Sequence, residues 1–334
     1  MEKLSIIVPC RNEIDYIKNL LDSINKQDYP NEFIELIVVD GMSNDGTNEY
    51  LKTLDIKNLV VLENSAQYVS NAMNIGIKNA TGNIIVRMDV HSIFPENYLS
   101  ILVAHINSFP KVGNVGVPCK TLPANNSFQS MAISMALSSS LGVGNSLFRT
   151  KIPTNFELVD TVPFGCWKKE IFDIVGLFDE DLIRNQDDEF NQRILNAGME
   201  IHLLPGPQVQ YFGRQDFKSH AKMFYQYGLF KPLVNKKIGK ITTLRQLAPL
   251  GLVLYIFIML MMAAFSFFIS ILMFTIFVSG YLTASISYFV KNKKNFYLLI
   301  YFILAILITH ISYGTGYFRG LFFNIKSKNI TDSR

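Results

Sequence analysis

A run of uncharged residues from 246 to 290 is the feature that most restricts how this 334-residue chain can fold. A bilayer core is crossed by ~20 residues of helix, so 45 uncharged positions are too many for one span. The run predicts two membrane-spanning helices, at 247–267 and 270–290, with a tight turn near 266–270. Residues 296–318 predict a third apolar segment.

Basic residues flank this region. They precede the first predicted span and follow the second, so two spans place both clusters on the cytoplasmic side, as the positive-inside rule requires. A third span would put the basic tail outside, so the segment 296–318, or the stretch HISYGTGYFRG, is alternatively interfacial or re-entrant. His310 within it is expected to be a hydrogen-bonded packing residue. The basic residues are Lys231, Lys236, Lys237, Lys240 and Arg245, then Lys291, Lys293 and Lys294, and in the tail Arg319, Lys326, Lys328 and Arg334.

The rest of the composition fits a globular domain on the cytoplasmic side. The net charge of +4 comes without a polybasic tract, which argues against nucleic acid as a partner. Cys10, Cys119 and Cys166 are odd in number and lack CxxC spacing, so reduced thiols are expected. The start LSIIVP has neither a basic n-region nor a cleavage site, so no signal peptide is expected.

The first ninety residues alternate between strand and helix patterns. This alternation predicts a parallel α/β sheet, whose ligands bind beyond the carboxyl ends of its strands. GxGxxG and GxxxxGK[ST] motifs are absent from the sequence, so neither a dinucleotide fingerprint nor a P-loop is predicted. The predicted strands are 4–9, 33–40, 59–62 and 83–88, and the predicted helices are 11–26, 48–54 and 69–80.

Acidic residues stand at two of these strand ends. Asp40 closes the second strand, and Asp89 follows the fourth in IIVRMDVHS, with His91 two residues later. A strand-end carboxylate with a second metal-capable group nearby is suited to a divalent cation. Asp40 alone is equally explained as a cap for the next helix, a role that Ser43 or Asp45 could also fill. Two such acids on one sheet favour a pocket.

The sequence from residue 95 to 231 predicts further helices and strands. Residues 95–109 predict a helix, 115–118 a strand, 125–145 a helix ending in a flexible loop, and 159–170 a strand followed by Gly165 and a helix start. Trp167 is expected in the core. The acidic stretch before the helix 190–198 is either a solvated turn or a helix N-terminus stabilised by the dipole. Residues 200–211 predict a strand broken by two prolines, and 214–231 an amphipathic helix on anionic lipid.

Four stretches together resemble family 2 glycosyltransferases: VPCRNE (8–13), VVDGMSNDGT (38–47), the pair 74–76 and 80–82, and VRMDVHS (86–92). The bacterial exopolysaccharide, succinoglycan-type subgroup is the most similar. The resemblance implies a GT-A fold, an α/β Rossmann-like mixed sheet for nucleotide-diphospho-sugars, followed here by transmembrane helices. It implies that Asp40 holds the base of the donor. The residues expected to bind donor are Pro9, Arg11, Glu13, Asp40, Arg87, Asp89 and Gln186.

The resemblance also implies a divalent cation, Mn²⁺ or Mg²⁺, that bridges the diphosphate and is held by Asp89. The family has Asp-x-Asp where this chain has Asp89-Val90-His91. Neutral imidazole ligates Mn²⁺ more readily than Mg²⁺, so His91 is either a second ligand or a local hydrogen-bonding group. Gly41 likewise stands where the family more often has a second acid.

RNQDDEFNQR (184–193) matches the family's Glu-Asp element, with Gln186 in place of the usual Glu. Glu189-Phe190 and Arg193 fix the register, which makes Asp187 the implied general base and Asp188 the one-residue alternative. A base is needed because an alcohol is a poor nucleophile until its proton is removed during attack. Attack opposite the leaving diphosphate inverts the anomeric carbon.

The expected protein is a membrane-anchored inverting glycosyltransferase of surface or exopolysaccharide biosynthesis. It would move sugar from a nucleotide donor, with UDP favoured, to a lipid-linked or growing saccharide at the cytoplasmic face of a bacterial inner membrane. The alternatives are a polyprenyl-phosphate glycosyltransferase and a non-catalytic nucleotide-sugar-binding subunit. The absence of a Gln-x-x-Arg-Trp motif argues against a processive synthase. The expected regions are a GT-A domain 1–231, a linker 232–246, a membrane domain 247–318 and a tail 319–334.

Overall fold

A computed structural model describes residues 1–322. The chain forms two compact units. The first, here called the sheet unit, comprises Met1–Lys120 and Lys151–Tyr211, and the second, the helical unit, comprises Thr121–Thr150 and the described residues from Phe212 onward. Most of the predicted tail, from residue 323 on, with Lys326, Lys328 and Arg334, lies outside the described residues.

An eight-stranded mixed sheet organises the sheet unit, in the order β3-β2-β1-β4-β9-β6-β10-β8. β1, β2, β3 and β4 are parallel to one another, whereas β9 runs antiparallel to β4. The strands are β1 Leu4–Cys10, β2 Ile34–Asp40, β3 Leu59–Glu63, β4 Ile84–Arg87, β5 Ser92–Ile93, β6 Val112–Gly116, β7 Cys119–Leu122, β8 Glu157–Leu158, β9 Cys166–Lys168, β10 Glu200–Leu203 and β11 Val209–Phe212. β5, β11 and β7 form a small separate sheet, and β7 and β11 continue along the chain into the helical unit.

Six helices accompany the sheet: α1 Ile14–Asn25, α2 Thr47–Thr53, α3 Val69–Asn79, α4 Tyr98–Ser108, α8 Ile171–Val175 and α9 Gln186–Asn196. The predicted elements are confirmed to within a few residues. One prediction was wrong: the strand near Gly165 follows this glycine rather than preceding it. Gly165 takes a left-handed conformation (φ 105°), which ends the preceding loop, and β9 then begins at Cys166.

The core lies beneath the central strands. Every residue of β1 is buried and all but Ser5 are apolar, because parallel sheets are covered on both faces. The hydroxyl of Ser5 donates to Glu35. α3 crosses β1 so closely that a Cβ at Gly76 would collide with the side chain of Ile7. The glycine in the 74–76 motif therefore serves helix-to-sheet packing.

The helical unit contains seven helices among the residues described: α5 Phe128–Leu137, α6 Ser140–Val143, α7 Leu147–Thr150, α10 Phe217–Ile238, α11 Ala248–Phe265, α12 Phe267–Lys291 and α13 Leu299–Phe322. α10 begins in the segment predicted to be amphipathic and continues past Lys231. The predicted linker is thus partly helical, and the boundary at Lys231 stays a prediction.

Three described segments are long and apolar enough to cross a membrane: Leu244–Phe265, Phe267–Lys291 and Phe296–Phe322. The tight turn between the first two is confirmed, since Ser266 separates them and its Oγ accepts the N–H of Ile269. α13 is continuous through HISYGTGYFRG, and the interfacial or re-entrant placement of this segment stays a prediction. His310 packs as expected, with Nδ1 2.8 Å from the hydroxyl of Tyr281.

α10 packs against α13 rather than standing apart from it. A Cβ at Gly228 would overlap the carbonyl oxygen of Tyr313, and one at Gly316 would overlap that of Tyr225. Small residues at such positions let two helix backbones approach closely, as in membrane helix pairs. The glycines of HISYGTGYFRG therefore serve a helix–helix contact.

Candidate active site

The strand order reverses at β1, and this brings three strand ends to one crevice. β2 and β3 lie on one side of β1 and β4 lies on the other. The register pairs Cys10 with Asp40 and Ile7 with Arg87. Ligands of open α/β sheets bind outside the carboxyl ends of the strands at such a switch point. The predicted grouping of Pro9, Asp40 and Asp89 at one sheet edge is confirmed.

Arg87, the last residue of β4, joins two carboxylates of this crevice. Its Nε and Nη2 donate to Asp89 Oδ1 and Oδ2 at 2.7 and 2.9 Å, and its Nη1 donates to Asp187 Oδ1 at 3.3 Å. Burial opposes the charge on Arg87, but the two carboxylates more than offset this and raise its pKa. The structure therefore brings the predicted cation ligand and the predicted base to opposite sides of one guanidinium.

Asp187 lies in the first turn of α9, and 47% of its side chain is exposed. Asp188 is in the same turn, where the helix N-terminus stabilises negative charge. Desolvation raises the pKa of Asp187, the charges of Asp188 and Asp89 add to this, and Arg87 opposes it. A carboxylate with a raised pKa is a stronger base, which suits proton removal from a hydroxyl.

The side chain of Arg193 anchors α9 behind Asp187. Arg193 donates from Nε and Nη2 to both carboxylate oxygens of Glu189, each at 2.8 Å, and also bonds the carbonyl oxygens of Val175 and Leu177. The residues that fixed the register of the acidic motif thus fasten this helix to the segment before it. Buried aromatic rings pack around the same helix, among them Trp167, Phe172, Phe178 and Phe190.

Asn74 of α3 fixes the chain that leads into the acidic element. Its side chain accepts the N–H of Phe178 at 2.9 Å and donates to the carbonyl of Phe178 and to Glu180 Oε1, both at 2.8 Å. The side chain is buried, at 3% exposure. Asn74 therefore determines where the segment before α9 runs.

Replacing Asn74 with Ala is expected to lower the stability of the protein by roughly 2–3 kcal/mol, because two buried hydrogen bonds and one partly buried hydrogen bond are lost and the main chain of Phe178 loses both of its Asn74 partners. In thermal unfolding of the full-length protein this corresponds to a fall in Tm of about 5–10 °C. Asn79→Ala is the matched control, since Asn79 is exposed and bonds only Ile75 of its own helix. Equal Tm values for the two variants would contradict the assigned role of Asn74.

Asp40 organises the loop that follows β2. It is fully buried, its Oδ1 accepts the hydroxyl of Ser43 at 2.5 Å, and its Oδ2 accepts the N–H of Ser43 and the amide of Asn48 at 3.1 and 2.9 Å. Asp40 therefore braces the loop and does not cap α2: the N-cap of this helix is Gly46, and Asp45 Oδ1 accepts the N–H of Thr47 at 3.0 Å. Contact between Asp40 and a donor base stays a prediction.

The loops after β1 and β2 are fastened to each other. Asn12, in a left-handed conformation (φ 54°), donates its N–H to Ser43 Oγ at 2.7 Å, and its Oδ1 accepts the N–H of Asn44 at 2.9 Å. Arg11 packs over Gly41, where a Cβ would come within 3.2 Å of the arginine side chain. A larger residue at position 41 would displace Arg11, which accounts for glycine where the family often has an acid.

His91 faces Glu13. Its Nε2 lies 2.9 Å from Glu13 Oε2, and its ring contacts that of Tyr16 with centroids 4.4 Å apart. Glu13 is nearly fully buried at the start of α1. The structure thus places His91 in a local pairing next to Asp89, and its role as a ligand stays a prediction.

Comparison with known proteins adds a second line of observation. A family model described as glycosyl transferase family 2 matches residues 5–156. The succinoglycan biosynthesis protein ExoA of Rhizobium meliloti is 26% identical, and the match covers 74% of each chain. A protein of Methanococcus voltae, named dolichyl N-acetyl-alpha-D-glucosaminyl phosphate 3-beta-D-2,3-diacetamido-2,3-dideoxy-beta-D-glucuronosyltransferase, is 29% identical over 96% of this chain and 98% of its own. The chain carries a family 2 glycosyltransferase domain.

The fold of this glycosyltransferase is GT-A. The mannosyltransferase PcManGT of Pyrobaculum calidifontis, solved in complex with GDP-Man and Mn²⁺, superposes with a TM-score of 0.58 at 20% identity, over 92% of this chain and 87% of that one. The predicted enzyme class and fold are confirmed, and the non-catalytic interpretation is set aside. The family match includes Arg87 and Asp89 and ends before Asp187.

The residues of the glycosyltransferase fit a cation shared with substrate, not a closed protein site. The described residues contain no cluster of three or more His, Cys, Asp or Glu side chains able to hold a metal. An ionised carboxylate offers about four lone-pair sites, and Arg87 engages only part of those on Asp89, whose side chain is 27% exposed. Mg²⁺ sites commonly combine one or two carboxylates with substrate phosphates, which is the donor set available here.

Some functional contacts had no signal in the sequence. The link between Asn74 and Glu180 spans 106 positions, and that between Arg87 and Asp187 spans 100. Contacts over such separations leave no helical or strand periodicity in the sequence. Both therefore became visible only in the folded structure. Arg87 was expected to bind donor, but its position between the two acids was not predicted.

Proposed function

We propose that this protein is a membrane-anchored inverting glycosyltransferase that moves a sugar from a nucleotide-diphosphate donor, with UDP favoured, to a lipid-linked or growing saccharide. The observation that carries the proposal is Arg87 joining Asp89 and Asp187 at the switch point of the sheet. Asp89 would serve the donor, and Asp187 would serve the acceptor. The family match and the names of the relatives support sugar transfer in polysaccharide or glycoconjugate biosynthesis.

Asp187 would take the proton of the acceptor hydroxyl as its oxygen forms a bond to the anomeric carbon. The bond between this carbon and the diphosphate oxygen breaks on the opposite face, and the configuration inverts. Asp188 is the alternative base. Asp40, Pro9, Arg11, Glu13 and Gln186 would surround the donor. The loops that carry Asp40 and Arg11 are held together before donor arrives, so little ordering is needed on binding.

A divalent cation, Mn²⁺ or Mg²⁺, would be held by Asp89 together with the donor diphosphate, with His91 as the second ligand. When bound, it would neutralise the negative charge of the diphosphate leaving group. PcManGT, which shares the fold, was solved with Mn²⁺. The buried guanidinium of Arg87 would hold the Asp89 carboxylate in a fixed orientation beside this position.

The helical unit would anchor the enzyme, with the sheet unit at the cytoplasmic face. α11 has no buried residue among those described, and α12 has only Ser285 and Phe289, so their apolar side chains face outward. Such surfaces are stable in lipid, not in water. The predicted regions 1–231, 232–246 and 247–318 remain part of this proposal, as does a bacterial inner membrane.

The acceptor is tested by analysing the labelled product. Membranes containing the full-length enzyme are incubated with radiolabelled nucleotide-sugar and a lipid extract, and the glycolipid products are cleaved with mild acid. The expected label lies on a saccharide of at least two units. The Methanococcus voltae relative is named for a dolichyl phosphate that already carries N-acetylglucosamine, which favours this outcome. Label released as a single sugar from bare polyprenyl phosphate would establish the alternative polyprenyl-phosphate activity.

A further inference from the structure

An open cavity of about 460 Å³ lies within the helical unit, where the N-terminal ends of α5 and α10 meet the start of α13. Ser127 caps α5 and Asp216 caps α10, and both line the cavity. Small-molecule sites are usually concavities of about 300–1,000 Å³. The cavity thus has the size of a ligand site, and the residues of the crevice around Arg87 do not form it.

Aromatic rings form one wall. The centroid of Phe128 lies 5.4 Å from that of Tyr301, and Tyr301 also contacts Phe217. Phe128 is 48% exposed although it contacts the rings of both Tyr297 and Tyr301. A ring that keeps its face open at the edge of a cavity offers a flat apolar surface, which the C–H face of a pyranose can cover.

The remaining lining is polar and carries a single formal charge. Asn125, Gln129, Gln215 and Asp216 supply amide and carboxylate groups, and no Lys or Arg is among the residues that line the cavity. Gln129 Oε1 accepts the N–H of Phe217 at 3.0 Å, which fixes the side chain and leaves an amide group with two hydrogens to donate. Paired donors and acceptors beside a carboxylate favour a neutral polyhydroxyl compound over an anion.

The cavity also lies at the end of an apolar segment. Tyr301 is in the first turns of the third candidate span, Phe296–Phe322. Tyrosine is enriched at the boundary between membrane and water, where its ring is apolar and its hydroxyl is hydrated. The head group of a glycolipid would stand at this level.

We propose that this cavity is a saccharide subsite, in which Phe128 and Tyr301 cover one face of a neutral sugar of the acceptor and Gln129, Gln215 and Asp216 bond its hydroxyls. The proposal rests on the proposed function, since it assigns the acceptor a place on the chain. It adds residues that lie outside all of the sequence motifs. The sugar would be attached to a lipid or part of a free saccharide. In both cases it presents the same hydroxyl groups and the same apolar C–H face.

Saturation-transfer NMR tests the subsite with full-length protein in detergent-free nanodiscs. The probes are maltose and chitobiose, each free and as its decyl glycoside. Transfer to at least one sugar ring is expected in the wild type, and Phe128→Ala or Gln215→Ala should weaken the affinity on the order of fivefold. Both residues are exposed, so the variants should fold. Stronger transfer to the glycosides identifies lipid-linked sugar as the ligand, and equal transfer identifies the saccharide alone.

Phe296→Ala is the matched control, because Phe296 is equally exposed (54%) at the same end of the segment but does not line the cavity. It should leave transfer unchanged. No transfer to any probe in the wild type, or equal losses in Phe128→Ala and Phe296→Ala, would overturn the subsite and assign the rings to membrane anchoring. Binding of UDP and GDP with Mn²⁺ is measured on the same samples. Loss of the sugar signal with nucleotide binding intact contradicts only the subsite, whereas absence of nucleotide binding contradicts the proposed function.

Discussion

Asp187→Asn is expected to lower the turnover number for sugar transfer by ~10²–10⁴-fold, because the amide cannot accept the proton of the acceptor hydroxyl. The substitution preserves the shape of the side chain and one oxygen for Arg87. Nucleotide binding should change little, since the loss concerns the acceptor side. The measurement is initial-rate transfer with saturating donor, alongside a nucleoside-diphosphate titration.

Asp188→Asn is the matched control for this prediction. Asp188 lies in the same helical turn as Asp187. The carboxylate that lies 3.3 Å from Arg87 is that of Asp187. Asp188→Asn should keep most of the activity. Folding is checked by Tm, and Asp187→Asn should change it little, because Asp187 is 47% exposed and the amide keeps one oxygen for Arg87. Loss of transfer in Asp188→Asn with activity retained in Asp187→Asn would reassign the base to Asp188.

The pKa of Asp187 also predicts the acid limit of activity. The pKa is raised above the ordinary value of about 3.9, and the base works only when ionised, so kcat should fall as the pH falls through this raised value. The contribution to stability has the opposite sign. The folded protein holds the proton more tightly than the unfolded chain, so ionisation of Asp187 costs stability as the pH rises through this window. A pH profile of kcat that stays flat down to the ordinary aspartate pKa of about 3.9 would contradict the assignment.

Asp89→Asn is the second substitution with a large expected effect. It removes the charge that pairs with Arg87 and the oxygen proposed to hold the cation, so affinity for UDP in the presence of Mn²⁺ should fall on the order of tenfold or more. Isothermal titration with and without Mn²⁺ measures this. Affinity in the absence of Mn²⁺ should fall much less. Unchanged affinity with Mn²⁺ would remove Asp89 from the cation site.

His91→Ala in the same titration defines the part played by the histidine. His91 Nε2 is paired with Glu13, so a purely local role predicts unchanged dependence on Mn²⁺ and a lower Tm. Loss of the Mn²⁺ dependence would instead make His91 a second ligand. The titration thus decides whether His91 takes the place of the second aspartate of the Asp-x-Asp pattern.

The sequence predicted what depends on local periodicity. The alternation of strands and helices up to Asp89 predicted the sheet, and the uncharged run predicted the first two apolar helices. The register of the acidic motif came instead from the family resemblance, through Glu189 and Arg193, whose side chains lie 2.8 Å apart in α9. Acidic residues at strand ends were correctly expected at one edge because parallel strands bring their carboxyl ends together.

Contacts between distant segments could not be predicted in this way. Nothing in the sequence near Asn74 indicates that its amide reaches Phe178, and nothing near Arg87 indicates Asp187. The strand beside Gly165 was misplaced because β-branched residues before the glycine mimic a strand, whereas Cys166 pairs with Val86 only after the left-handed turn. The cavity at Phe128 and Tyr301 joins residues 173 positions apart and likewise required the fold.

The most direct test of the account is a donor screen on membranes that contain the full-length enzyme. UDP- and GDP-sugars are supplied with lipid acceptor, and release of nucleoside diphosphate is followed with EDTA, after adding back Mn²⁺, and in Asp187→Asn. The account predicts release from at least one donor, its loss with EDTA, its recovery with Mn²⁺ or Mg²⁺, and little acceptor-dependent release in the variant. Acceptor-dependent release that persists in EDTA, or that is undiminished in Asp187→Asn, would contradict it.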